Sequence, residues 1–80
     1  MRATVLVRPK QGILDPQGEA VGSSLRQLGF AVSEARVGKV VDVELDASDA
    51  AAARAELERM CEQLLANPLI ESYEIELPAT

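Results

Sequence analysis

The chain has 80 residues, 48% apolar and 26% charged, which reads as one small globular domain spanning residues 1–80. With one Phe, one Tyr and no Trp, its core must come mainly from Val, Leu, Ile and Ala, and pairing with another chain is a common route to the missing burial. A net charge of −5 argues against a nucleic-acid backbone or an anionic membrane surface as a partner.

In chain order, residues 3–8 form an apolar, β-branched run ended by Pro9, which predicts a strand. The run is too short to cross a bilayer and does not read as a signal peptide. Cys61 is the only cysteine, so no internal disulfide is possible, and a cytoplasmic setting is expected. A loop over 10–14 follows. Asp15 then caps a helix with Pro16 at its first position, where the missing N–H is harmless. Val21, Leu25 and Leu28 mark the apolar face of that helix. Gly18 and Gly22 share this face and are read as letting the backbone approach the sheet closely. Gly29 fits a left-handed cap, with Phe30 as its apolar follower.

Residues 30–37 are expected to form a second strand, bulged near Ser33 and Glu34, with Gly38 and Lys39 as a hairpin turn. Residues 40–45 give a third strand, Val41, Val43 and Leu45 inward and Asp42 and Glu44 outward. A second helix over 48–66 is capped by Ser48, or by Asp46 with Asp49 three residues on. Its stripe is Ala53, Leu57, Met60, Cys61 and Leu64, while Glu58, Arg59 and Glu62 face water. Proline disfavours the helical region for the residue before it, so the helix stops at Asn67 and Pro68. A last strand over 70–77 alternates Tyr73, Ile75 and Leu77 against Ser72, Glu74 and Glu76. Pro78, Ala79 and Thr80 are expected to fray.

The order βαββαβ predicts an α+β two-layer sandwich: a four-stranded antiparallel sheet of ferredoxin-like order 4-1-3-2, with both helices on one face. The other face mixes Thr4, Leu6 and Arg8 with Asp42, Glu44, Glu74 and Glu76. Leu6 at its centre points to packing against another chain, through this face or an edge strand.

Side-chain chemistry offers no catalytic residue. Without histidine, neither a Ser-His-Asp nor a Cys-His arrangement can be built, and the commonest metal ligand is missing. Cys61 lies on a buried stripe and reads as a small inert hydrophobe. Asp42, Glu44 and Asp46 alternate along one strand but lack a loop of oxygen ligands, so they read as a solvated face and no metal is expected. The glycines match no phosphate-binding pattern, and the aromatics are too few for base stacking.

Three stretches carry a likeness. They are Lys10-Gln11-Gly12-Ile13-Leu14-Asp15-Pro16-Gln17-Gly18, then Val32 through Arg36-Val37-Gly38-Lys39, then Met60-Cys61-Glu62 with Leu64-Leu65-Ala66-Asn67-Pro68-Leu69-Ile70-Glu71. In this order, over essentially the whole chain, the sequence resembles the PurS family, small subunits of phosphoribosylformylglycinamidine synthase (formylglycinamide ribonucleotide amidotransferase). The resemblance implies a part in de novo purine biosynthesis, where the complex converts formylglycinamide ribonucleotide to the amidine with glutamine and ATP. It implies a non-catalytic adaptor that pairs with itself, joins a glutaminase subunit to a large ATP-using synthetase subunit and assists ammonia transfer. ATP and magnesium are then used by the complex, with no cofactor expected on this chain. The contact surfaces implied are Asp15, Pro16, Gln17, Gly18, Arg36, Gly38, Lys39, Asn67 and Pro68, which serve equally as caps and turns of any such domain. Two alternatives stay open. A small-molecule-binding regulatory βαββαβ domain needs glycine-rich ligand loops, for which only Gly12 and Gly18 are candidates. A stand-alone enzyme needs an ionisable group buried in a cleft, and the chain offers no obvious one.

Overall fold

Ala3, Val5 and Val7 alternate with Thr4, Leu6 and Arg8, and this period of two builds β1 (Arg2–Pro9), the central strand of the sheet. The computed structural model describes residues 1–78; the fraying expected at Ala79 and Thr80 lies outside the described residues. After β1 come α1 (Pro16–Gln27), β2 (Lys39–Glu44), α2 (Ala50–Met60), a π turn (Cys61–Leu65) and β3 (Glu71–Glu76). Both outer strands pair antiparallel with β1, placing Val5 opposite Val41 on one side and Ile75 on the other.

The sheet therefore has three strands, in the order β2-β1-β3, and not the four expected. Residues 30–37 form no strand. They run back along α1 as irregular chain, their contacts made to the helix and to the end of β1 instead of a strand ladder. The three strands that do form keep their predicted relative order. The hairpin turn at Gly38 and Lys39 is absent too. Gly38 passes so close to the Val7 carbonyl that a Cβ would collide with it, and Lys39 begins β2 directly.

A second correction concerns the helices, since only α2 packs on the sheet. The core joins Ala3, Val5 and Val7 of β1 to Leu45 and to Ala53, Leu57, Cys61 and Ala66, with Val41, Val43, Met60, Leu65, Tyr73 and Ile75 around it. No residue of α1 belongs to it. Gly18 and Gly22 do allow a close approach, but to Ala35 of the returning chain and not to the sheet. The molecule measures 49 × 26 × 15 Å, and its radius of gyration is 15.8 Å. A globule of this length would have about 12 Å. α1 and the returning chain form an arm.

Local capping follows the sequence closely. Gly29 takes φ +98°, and the N–H groups of Gly29 and Phe30 donate to the carbonyls of Arg26 and Leu25 at 3.0 and 3.1 Å, closing α1. For α2 the cap is Asp49, whose Oδ1 accepts from the Ala52 N–H at 2.8 Å, in place of Ser48 or Asp46. The stripe holds at Ala53, Leu57 and Cys61 but fails at Leu64, which is 82% exposed. The cause is the π turn. The Ala66 N–H reaches back five residues to the Cys61 carbonyl at 3.0 Å, so one extra residue enters the turn. Leu64 swings outward, and Leu65 and Ala66 take the core positions.

Candidate functional site

Lys10, the first residue after β1, joins the stretches that the sequence singled out. Its N–H donates to the Ile70 carbonyl at 2.8 Å, and its Nζ donates to the Pro68 carbonyl at 2.6 Å. Its own carbonyl accepts from Arg36 Nη2 at 2.7 Å, and the same Nη2 donates to the Pro9 carbonyl at 3.0 Å. The loop after β1, the chain returning from α1 and the junction after the π turn thus meet at one end of the sheet.

Asp15 closes the base of the arm. Its Oδ1 accepts from the Gly18 N–H and its Oδ2 from the Val37 N–H, each at 2.9 Å. The Val37 bond and then the Gly18 bond hold this carboxyl below the ordinary carboxylate range; desolvation opposes them, and the Arg36 charge adds the least. Gly18 is required beneath it, because a Cβ there would overlap the Ala35 carbonyl oxygen. At the junction, Asn67 Oδ1 accepts from the Leu69 N–H at 3.1 Å, and the Asn67 carbonyl accepts from the N–H groups of Ile70 and Glu71. The Asn67 N–H donates to Glu71 Oε1 at 2.7 Å, so one side-chain-built turn reverses the chain into β3.

Of the nine predicted site residues, Pro16, Gln17, Gly38, Lys39, Asn67 and Pro68 are exposed, Asp15 and Arg36 are half-buried, and Gly18 is buried. Arg36, Gly38 and Lys39 come together on a cavity of about 660 Å³. Its other lining residues are Leu6, Val7, Arg8, Pro9, Lys10, Gln11, Val40 and Ser72. Arg8 and Lys10 were not singled out by sequence reasoning. The signal was two cations flanking Pro9, the residue that ends the central strand.

Elsewhere several ionisable groups make structural pairs. Asp42 Oδ1 accepts from Thr4 Oγ1 at 2.9 Å, and Glu44 Oε2 lies 3.2 Å from Arg2 Nε, so these carboxylates make cross-strand pairs. Tyr73 donates its hydroxyl to Glu62 Oε1 at 3.1 Å; desolvation first, then this bond, raises its pKa. Cys61 is fully buried, and burial, followed by the charges of Glu62 and Glu58, pushes its thiol up. Among the described residues, no group of three or more His, Cys, Asp or Glu is placed to hold a metal ion, and no helix is long and apolar enough to cross a membrane. The arm exposes one group of apolar side chains, with Val21 43% exposed, Phe30 59% and Leu28 74%; Val40, Leu64 and Leu69 are exposed elsewhere.

Residues 2–79 match the PurS family model, described as phosphoribosylformylglycinamidine (FGAM) synthase. The phosphoribosylformylglycinamidine synthase subunit PurS of Synechocystis sp. is 48% identical over 79 residues, covering 98% of this chain and 77% of that protein. The crystal structure of Methanocaldococcus jannaschii PurS, one of the subunits of formylglycinamide ribonucleotide amidotransferase, superimposes with a TM-score of 0.83 at 38% identity. That match covers 94% of this chain and 92% of the other. The structure of PurLQS from Thermotoga maritima gives a TM-score of 0.86 at 32% identity, over 94% of this chain and 93% of that one.

Proposed function

The chain belongs to the PurS family, and from that premise we propose that it is the adaptor subunit of phosphoribosylformylglycinamidine synthase. In this role it holds a glutaminase subunit and an ATP-using synthetase subunit together and assists the passage of ammonia between them. The complex makes formylglycinamidine ribonucleotide from formylglycinamide ribonucleotide, glutamine and ATP, with ATP and magnesium used by the complex and not by this chain. Its setting is the cytoplasm. The PurLQS structure of Thermotoga maritima supports a three-part assembly of this kind.

One observation carries the adaptor reading. A helix with an apolar stripe stands clear of the domain's own core, and the stretches matched to the family are gathered into a joint at its base. An element that buries so little within its own chain suits a subunit whose role is to contact others. A second copy is one partner, because the arm leaves Val21, Leu28 and Phe30 exposed and the sheet leaves its β2 edge open, in a chain short of core. Residues 15–18, 36–39 and 67–68 shape the contact surface, with Pro16, Gln17, Gly38, Lys39, Asn67 and Pro68 its exposed members.

Reconstitution tests the reading. With purified glutaminase and synthetase subunits, glutamine-dependent synthesis should require this chain, while synthesis from added ammonia should proceed without it. Full glutamine-dependent activity in its absence would remove the adaptor role. Charge reversal at Arg36 and Lys39 should weaken assembly and glutamine-dependent activity together, and intact assembly would take both residues off the contact surface.

A further inference from the structure

Four of the chain's eight cationic side chains, Arg8, Lys10, Arg36 and Lys39, line the 660 Å³ cavity at the end of β1, and no acidic residue lines it. The net charge of −5 hides this segregation. Two of these cations are oriented by neutral partners: Arg36 Nη2 by the Pro9 and Lys10 carbonyls, and Lys10 Nζ by the Pro68 carbonyl. A carbonyl fixes the direction of a cation without cancelling its charge, so less rotamer freedom is lost when an anion arrives. Among the described residues, Glu74 is the one carboxylate paired with any of the four, 3.4 Å from Arg8 at the exposed rim, where water screens the pair. Leu6 and Val40, directly opposed across β1 and β2, supply an apolar floor.

We propose that this cleft binds a small phosphate-bearing molecule of nucleotide size. A lining of cations with no carboxylate suits an acceptor-only dianion, and a guanidinium with a free edge suits phosphate oxygens in particular. The volume falls within the roughly 300–1,000 Å³ of small-molecule sites, and the Leu6–Val40 floor receives a sugar or base. A nucleic-acid polymer does not fit, because the acidic surface beyond the cleft repels an extended phosphate backbone. Arg36 and Lys39 belong to the chain leaving the arm, while Arg8 and Lys10 belong to the end of β1 and its loop. A bound phosphate therefore fastens the arm to the sheet. The site goes beyond the adaptor role and does not rest on it.

Titration calorimetry of the full chain at low ionic strength, with inorganic phosphate, pyrophosphate and AMP as probes, tests the proposal. Binding is expected, with Arg8→Gln and Lys39→Gln each weakening it about tenfold. A paired Arg54→Gln and Arg59→Gln variant on α2 should leave it unchanged. Amide shift changes in the unaltered chain should gather at residues 6–11 and 36–40, a readout independent of how the variants fold. AMP binding more tightly than phosphate supports the site and places a nucleoside on the floor; equal affinity supports it as a reader of the phosphate group alone. Silence with all three probes overturns it, as does equal loss in the α2 variant. Binding confined to a polyglutamate peptide also overturns it and makes the cleft a seat for an acidic protein segment.

Discussion

Asp15 Oδ2 and the Val37 N–H lie 2.9 Å apart across 22 residues, and this bond ties the start of α1 to the chain returning toward β2. The same carboxylate caps the helix through Oδ1. One side chain therefore sets both where the arm begins and where it ends.

The lowered pKa of Asp15 makes that joint sensitive to acid. The ionised form is favoured in the folded state, so its stabilising effect is complete above the unfolded value, about 3.9. It disappears as pH falls through the lower folded value. Thermal melts followed by circular dichroism should show the unaltered chain losing stability from about pH 5 downward. Asp15→Asn should melt lower at neutral pH and respond less to acid; parallel curves for the two would place the acid response elsewhere.

Leu57 is fully buried between α2 and the sheet, whereas Leu64 is 82% exposed beyond the π turn. Leu57→Ala is expected to cost about 2–5 kcal/mol, and Leu64→Ala to stay within about 0.5 kcal/mol. Urea denaturation of both variants checks this. Equal losses would mean that the second helix continues in α geometry to its end.

The arm's apolar residues should matter for association and little for the fold of the single chain. A Leu28→Glu and Phe30→Ser double variant is expected to keep its helical circular dichroism and to run as a monomer in light scattering, where the unaltered chain runs larger. A variant that still self-associates would release the arm from the proposed pairing.

Cys61 is buried with a raised pKa, so the native thiol should not react with an aromatic disulfide reagent and should titrate fully in denaturant. Replacement by Ser puts a hydroxyl among apolar neighbours and should cost about 1–3 kcal/mol if it finds no partner. Rapid labelling of the folded chain would show that this part of the core opens readily.

Much of the fold was legible because its cause is local. Alternation marked β1, β2 and β3, and the sequence Asp15-Pro16 with Gly29-Phe30 marked both ends of α1, since caps and pleats are set within a few residues. Residues 30–37 misled for the converse reason. Their β-rich composition is only a disposition to pair, and a strand exists only when another edge meets it; within this chain they lie against Asp15, Gly18 and the Pro9 carbonyl instead. Leu64 misled because a single added residue in a helical turn rotates everything beyond it, and neither Cys61 nor its neighbours signal that addition.

From the residues alone came the three strands with their inward faces, the ends of α1 and the family likeness, because short-range patterning and ordered stretches are written along the chain. Three-dimensional packing settled the open β2 edge, the arm held off the core and the four cations gathered around one cleft. Those depend on contacts between positions 22 to 58 residues apart, for which no local pattern is the cause.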